Sequence, residues 1–182
     1  MKALFIKYKS VIKFILTFLL VYAVLSVSYK LYLNISENSN YYPDYVTNLT
    51  ARQSELILES IGYEAQIIPH PDEPSMKLII NSKFVARIIE GCNSISIIIL
   101  FISFMIAFAD KWKATLLYIF AGSTLIYTVN LFRIVFLSIG LYHYPWRREI
   151  LHTVIFPLII YGLVFLLWMF WVNRYALKYK KV

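Results

Sequence analysis

Four stretches of this chain are apolar over roughly the 20 residues that a helix needs to cross a bilayer. They run from about Val11 to Tyr29, Gly91 to Ala109, Ala114 to Ile139 and Leu151 to Val172. In hydrocarbon a segment must satisfy its backbone hydrogen bonds internally, so each stretch is expected to be helical. Composition agrees. Hydrophobic residues make up 60% of the 182 positions and charged residues 15%, against about 25% charged in ordinary globular domains. The mean hydropathy is +0.65. A soluble protein of this length has no interior large enough for so much apolar surface. The expected class is an all-α integral membrane protein with about four transmembrane helices. The first helix is read as retained: its apolar stretch exceeds an ordinary signal-peptide core, and Lys30 and "LYLNIS" follow it in place of a small-residue cleavage site.

Basic residues in the short flanks set the orientation. Lys2, Lys7, Lys9 and Lys13 precede the first span, Lys111 and Lys113 sit between the second and third, and Arg174, Lys178, Lys180 and Lys181 follow the fourth. With four spans these groups share one side, the cytoplasm, so both termini are expected inside. Much of the net charge of +8 is then a topology signal. The basic residues form no aromatic-interleaved patch, which argues against a nucleic-acid partner.

The division expected is residues 1–33 for the cytoplasmic N-terminus and first span, 34–88 for an extracytoplasmic insertion, 89–172 for a three-helix membrane core, and 173–182 for a basic tail. The insertion reads as small and α+β. "YVTNLTARQSELILESIGY" spaces Leu49, Leu56, Ile57 and Ile61 in a roughly helical pattern and ends on Gly62, a C-cap residue. "EAQII" and "SMKLIINSKFVARII" are strand-like runs around the turn-rich "PHPDEP". A helix followed by a hairpin is expected. In the short outer loop "YHYPWRRE", Arg147 and Arg148 run against the positive-inside trend.

Three residues stand out against the apolar background. Cys92 is the only cysteine and is expected in the first turn of the second span. The positive end of the helix dipole there favours a thiolate, although a free cysteine is also a common small core residue. Arg133 lies within the third span. Burying it costs at least ~2.5 kcal/mol on insertion scales, which marks it as functional unless it snorkels to the headgroups. Asn130 and Tyr127 precede it at helical spacing on the same face. His152 opens the fourth span, with Glu149 three residues before it and Pro157 following. It is either an interfacial histidine or a base. All three residues fall near the outer interface. A thiol with a base is the arrangement for acyl transfer, and a fixed cation suits a tetrahedral oxyanion.

These residues also carry a resemblance. "EGCNSI", "NLFR" and "LHTVIFP" are similar to the motifs of the exosortase/archaeosortase family, membrane-embedded cysteine transpeptidases of prokaryotic envelopes, and most of all to the compact exosortases of the variant F type. The likeness covers residues 88 to 172. It implies Cys92 as nucleophile, Arg133 as transition-state stabiliser and His152 as acid/base; Glu90, Tyr127, Asn130 and Glu149 are expected in supporting positions. Many family members have Ser-Gly after the cysteine where this chain has Asn93-Ser94, and longer members have eight spans.

The implied reaction is cleavage of an envelope protein at a C-terminal sorting signal made of a short motif, a transmembrane helix and a basic tail. It passes through a thioester, which an amine on a glycan or lipid, or water, resolves. The implied location is the bacterial cytoplasmic membrane, with the site near the outer face. No cofactor or metal is expected, since His70, His143 and His152 are scattered and no H-E-x-x-H is present. A non-catalytic scaffold subunit and a small transporter component are the alternatives from other classes.

Overall fold

The computed structural model describes residues 8–36, 41–109 and 111–176. Helix α1 (Lys9–Ser36) is followed by a cap made of helix α2 (Tyr45–Ser60) and strands β1 (Ala65–Pro69), β2 (Met76–Ile80) and β3 (Lys83–Ile88). Helices α3 (Ile95–Ala107), α4 (Trp112–His143) and α5 (Phe156–Trp171) complete the chain. Lys2, Lys7, Lys178, Lys180 and Lys181, used above for orientation, lie outside the described residues.

Three helical stretches are long and apolar enough to span a membrane: Lys9–Ser36, Trp112–His143 and Pro145–Arg174. The expected second span is shorter than the sequence suggested. Helix α3 has 13 residues, about 20 Å at 1.5 Å per residue, against a hydrocarbon core of about 30 Å. The cause is local. Ser94 adopts a left-handed conformation (φ 65°), and the Asn93 side chain accepts from the Ile95 amide at 3.0 Å. The helix therefore cannot extend back to Gly91. Cys92 lies instead at the end of a single 3₁₀ turn, Glu90–Cys92, so the helix-dipole argument for its thiolate does not hold.

Helix α4 departs in the other direction. Its 32 residues make a rod of about 48 Å, roughly 18 Å longer than the hydrocarbon core. The cap packs on the excess. Leu58, Met76, Leu78, Ile80 and Ile88 form one buried cluster with Ile134 and Val135 of α4. At the end of α4, the Tyr63 hydroxyl lies 3.1 Å from His143 Nε2, and Asn81 donates to the Tyr142 hydroxyl at 3.1 Å.

Within the cap, Asp44 caps α2 by accepting from the Val46 and Thr47 amides, both at 3.0 Å. The helix ends as expected on Gly62 (φ 93°). The Gly62 and Tyr63 amides return to the Glu59 and Leu58 carbonyls at 3.0 and 3.1 Å, a Schellman motif. The buried face of α2 is not the one its leucines suggested. Leu49, Leu56 and Ile61 are exposed, while Thr47, Thr50, Ala51, Ser54 and Leu58 are buried. The hydroxyls of Thr50 and Ser54 bond to the carbonyls of Val46 and Thr50, each at 2.8 Å, so their burial strands no donor. The expected hairpin is a three-stranded antiparallel sheet in the order β1-β2-β3. Its second run divides at Asn81 and Ser82, both at positive φ (48° and 62°), as a two-residue hairpin turn requires. The turn contains no glycine, so the run reads as one continuous strand in the sequence.

In the membrane bundle, Phe14 of α1 packs on Phe104 and Phe108 of α3, with ring centroids 5.7 and 4.3 Å apart. Phe104 stacks on Trp168 of α5 at 4.3 Å. Tyr118 of α4 meets Trp171 at 4.7 Å and donates to the Leu167 carbonyl at 2.8 Å. Ahead of α5 the chain forms a π-turn, Leu151–Ile155, just before Pro157, which lacks the amide that would reach Thr153. The irregularity expected from that proline is present, and it places His152 in the π-turn.

Gly122 fixes the crossing of α3 and α4. A Cβ there would stand 2.3 Å from Cζ of the fully buried Phe101, and small residues are what allow membrane helices to approach this closely. Gly122→Ala should destabilise the bundle by about 1–3 kcal/mol through overpacking, read as a lower Tm in detergent. Adding Phe101→Leu should recover much of the loss. An unchanged Tm in the single variant would show that the contact does not constrain the crossing.

Candidate active site

The chain between β3 and α3 runs without regular helix or strand near the membrane boundary. Two asparagines hold it. Asn93 is fully buried. Its amide donates to the Tyr29 hydroxyl of α1 at 2.8 Å and to Thr47 Oγ1 of α2 at 3.0 Å, and its oxygen takes the Ile95 amide. One side chain thus ties together α1, α2 and the start of α3. Asn130, also fully buried, donates to the backbone carbonyl of Cys92 at 2.6 Å and accepts from Arg133 Nη1 at 3.3 Å. It stands about 27 Å along α4 from Trp112 at 1.5 Å per residue. Cys92 therefore lies towards the cap end of α4.

The cysteine, Arg133 and His152 line a single cavity of about 200 Å³. Its walls are β3, the last third of α4 and the turns that lead into α5. Arg133 is half-buried, and its Nε is a buried donor with no hydrogen-bond partner. With Nη1 held by Asn130, the guanidinium keeps a free N–H inside the site. Cys92 is also half-buried and forms no disulfide. Among the described residues no hydrogen bond joins its sulfur to His152. The imidazole and Arg148 line both this cavity and a shallower, more open recess that includes Trp146, Glu149 and Thr153. The histidine thus stands between the enclosed cavity and the outside.

The supporting residues divide. Asn130 is at the centre of the site. Tyr127, on the same face of α4, points to the cap instead: its hydroxyl donates to Gln53 Oε1 at 2.6 Å and lies 3.3 Å from Thr50 Oγ1. Glu90 lines a different recess, with Asp44 and Glu73. Glu149 lines the open recess and, among the described residues, makes no hydrogen bond to His152. His143 does not line the cavity and pairs with Tyr63. Sequence reasoning missed Asn93 and Arg148 as parts of the site. An asparagine next to the lone cysteine and an arginine on the wrong side of the charge rule were the signals available.

Asn130→Ala would strand the Cys92 carbonyl and release Arg133. The expected penalty is about 1–3 kcal/mol for a buried polar group left unpaired, measured by thermal unfolding in detergent. A variant as stable as the parent would remove Asn130 as the anchor of the loop.

A comparison with known families identifies the family of the chain. The family model described as Transmembrane exosortase (Exosortase_EpsH) matches residues 4–174, nearly the whole chain. No curated protein and no solved structure matches it. A multi-pass membrane protein with a match of this extent belongs to the transmembrane exosortase family.

Proposed function

We propose that this chain is a cysteine peptidase or transpeptidase that cuts envelope proteins at a C-terminal sorting signal. One observation carries the reading: Cys92, Arg133 and His152, from three separate parts of the sequence, border one cavity. A scaffold subunit has no need to bring a thiol, a guanidinium and an imidazole together. Family membership supports the same class of chemistry.

The reaction divides between the three side chains as follows. His152 accepts the thiol proton of Cys92, and the thiolate attacks the scissile carbonyl carbon. Negative charge develops on the carbonyl oxygen, where the Nε–H of Arg133 stabilises it. As the C–N bond breaks, the imidazolium returns its proton to the departing amine, leaving a thioester on Cys92. An amine of a glycan or lipid, or water, then loses a proton to His152 and attacks the thioester. Cys92 leaves as the thiolate and is reprotonated. Asn130 is a positioning residue, holding both the nucleophile's backbone and the guanidinium.

The test uses a reporter with a sorting motif, a transmembrane helix and a basic tail, drawn from the genes beside this one and co-expressed with the full chain. Cleavage should be abolished in Cys92→Ser. In Arg133→Lys it should fall about 10²- to 10³-fold, as when an oxyanion donor is lost, because lysine keeps the charge but not the planar fork. Full activity in the lysine variant would remove Arg133 from the chemistry, and full activity in the serine variant would remove the nucleophile.

The active site is assigned to the outer face of the cytoplasmic membrane, with both termini inside. A membrane-impermeant maleimide should therefore alkylate Cys92 in intact spheroplasts. Labelling seen only in inverted vesicles would reverse the topology.

A further inference from the structure

One wall of the Cys92 cavity is made by five consecutive residues, Val85, Ala86, Arg87, Ile88 and Ile89. Side chains of a strand alternate between its two faces, so a cavity on one face of the sheet would meet every second residue. Four of these residues, Val85 to Ile88, belong to β3, and a cavity that meets Ala86, Arg87 and Ile88 in succession runs along the strand's edge. Leu137 and Leu141 of α4 pack on Val85 and Ala86, but no strand pairs with that edge. With the strand order β1-β2-β3, β3 pairs only with β2. Among the described residues its outward backbone groups have no backbone partner.

From this we infer that β3 is a docking strand. An extended segment of the protein substrate, the one that carries the scissile bond, adds to its free edge through main-chain hydrogen bonds and is led past Cys92. The inference rests on the acyl-transfer reading and names how that site holds its substrate.

Three observations select this occupant. The strand ends at Ile88, four residues before Cys92, and both line the same space. A chain paired with β3 therefore lies in the same cavity as the sulfur. Attack on a peptide carbonyl also needs that carbonyl free. In a helix it is bonded to the amide four residues on, whereas a strand added at an edge leaves alternate carbonyls pointing away from its neighbour.

The second observation is size. At about 200 Å³ the cavity is smaller than typical small-molecule pockets of roughly 300–1,000 Å³, and it suits a narrow length of chain. A bulge between Leu78 and Ile79 in the pairing of β2 with β3 leaves Val85 without a partner, which shortens the regular edge and limits how much chain can add.

The third is charge. Arg87, Arg133 and Arg148 line the cavity and no aspartate or glutamate does. Glu73 pairs with Arg87 from outside it. The docked segment is therefore neutral or acidic, and the basic tail of a sorting signal is excluded from this slot.

The test separates docking from catalysis. In the full-length chain in membranes, Cys92→Ala removes the native thiol and Ala86→Cys supplies one on β3. The reporter described above receives single cysteines in turn along the segment preceding its transmembrane helix, and disulfide cross-links are scored after mild oxidation. Docking on β3 predicts cross-links at every second reporter position and background between them, the period of a paired strand. It also predicts loss of the pattern when a lysine is placed within that segment. Uniform cross-linking, a helical period or no cross-linking would overturn the inference. Cross-linking with that period together with a parent chain that fails to cleave would keep the docking strand and reject the catalytic reading. Cleavage by the parent without periodic cross-links would do the reverse.

Discussion

A stretch of chain that is neither helix nor strand persists in a packed interior only where other groups take over its backbone hydrogen bonds. In this chain two asparagine side chains do so. Asn93 and Asn130, both fully buried, hold the stretch between β3 and α3, and the rest of the site follows from that restraint. Because Asn93 fixes Tyr29, Thr47 and the Ile95 amide at once, the first helix, the cap and the third helix cannot shift independently. Because Asn130 grips the Cys92 carbonyl and Arg133, the thiol and the guanidinium are set by one side chain on one rigid helix. A buried amide is costly when unpaired and specific when paired; here the pairing fixes the geometry.

The resemblance to exosortases with Ser-Gly after the cysteine has a physical counterpart. Glycine occupies left-handed backbone freely, and other residues do so at a cost of about 1–2 kcal/mol. Ser94 sits at φ 65°, so the turn that glycine would make easily is made here by serine. Asn93 offsets the strain by capping the Ile95 amide and by bonding to two other elements.

Much of this was legible in the sequence, and the failures have identifiable causes. Apolar length located the bundle, and Gly62 and "PHPDEP" marked a helix end and a turn because glycine and proline act through local backbone sterics. The length of α3 was misjudged because hydropathy does not register a side-chain hydrogen bond such as that from the Ile95 amide to the Asn93 side chain. The turn at Asn81 and Ser82 was missed because neither residue is glycine. The buried face of α2 was misread because threonine and serine become compatible with burial once they bond to their own helix, which composition cannot reveal. Of the expected site, the three central residues share a cavity, and Asn130 is beside them. Glu90, Glu149 and Tyr127 face elsewhere, since sequence spacing fixes a helical face only inside a regular helix and says nothing of what that face meets.

The excess length of α4 has a further consequence. A rod of about 48 Å crossing a core of about 30 Å carries the cap at a fixed height, like a mast stepped in the bilayer. That height is counted in residues, and a whole helical turn is about 5.4 Å. Any membrane-anchored chain that must reach Cys92 is thereby gauged by the length of its own anchor, and a bilayer a few ångströms thicker or thinner would alter which anchors fit. The protein and its lipid environment together form a ruler, with the graduations on α4.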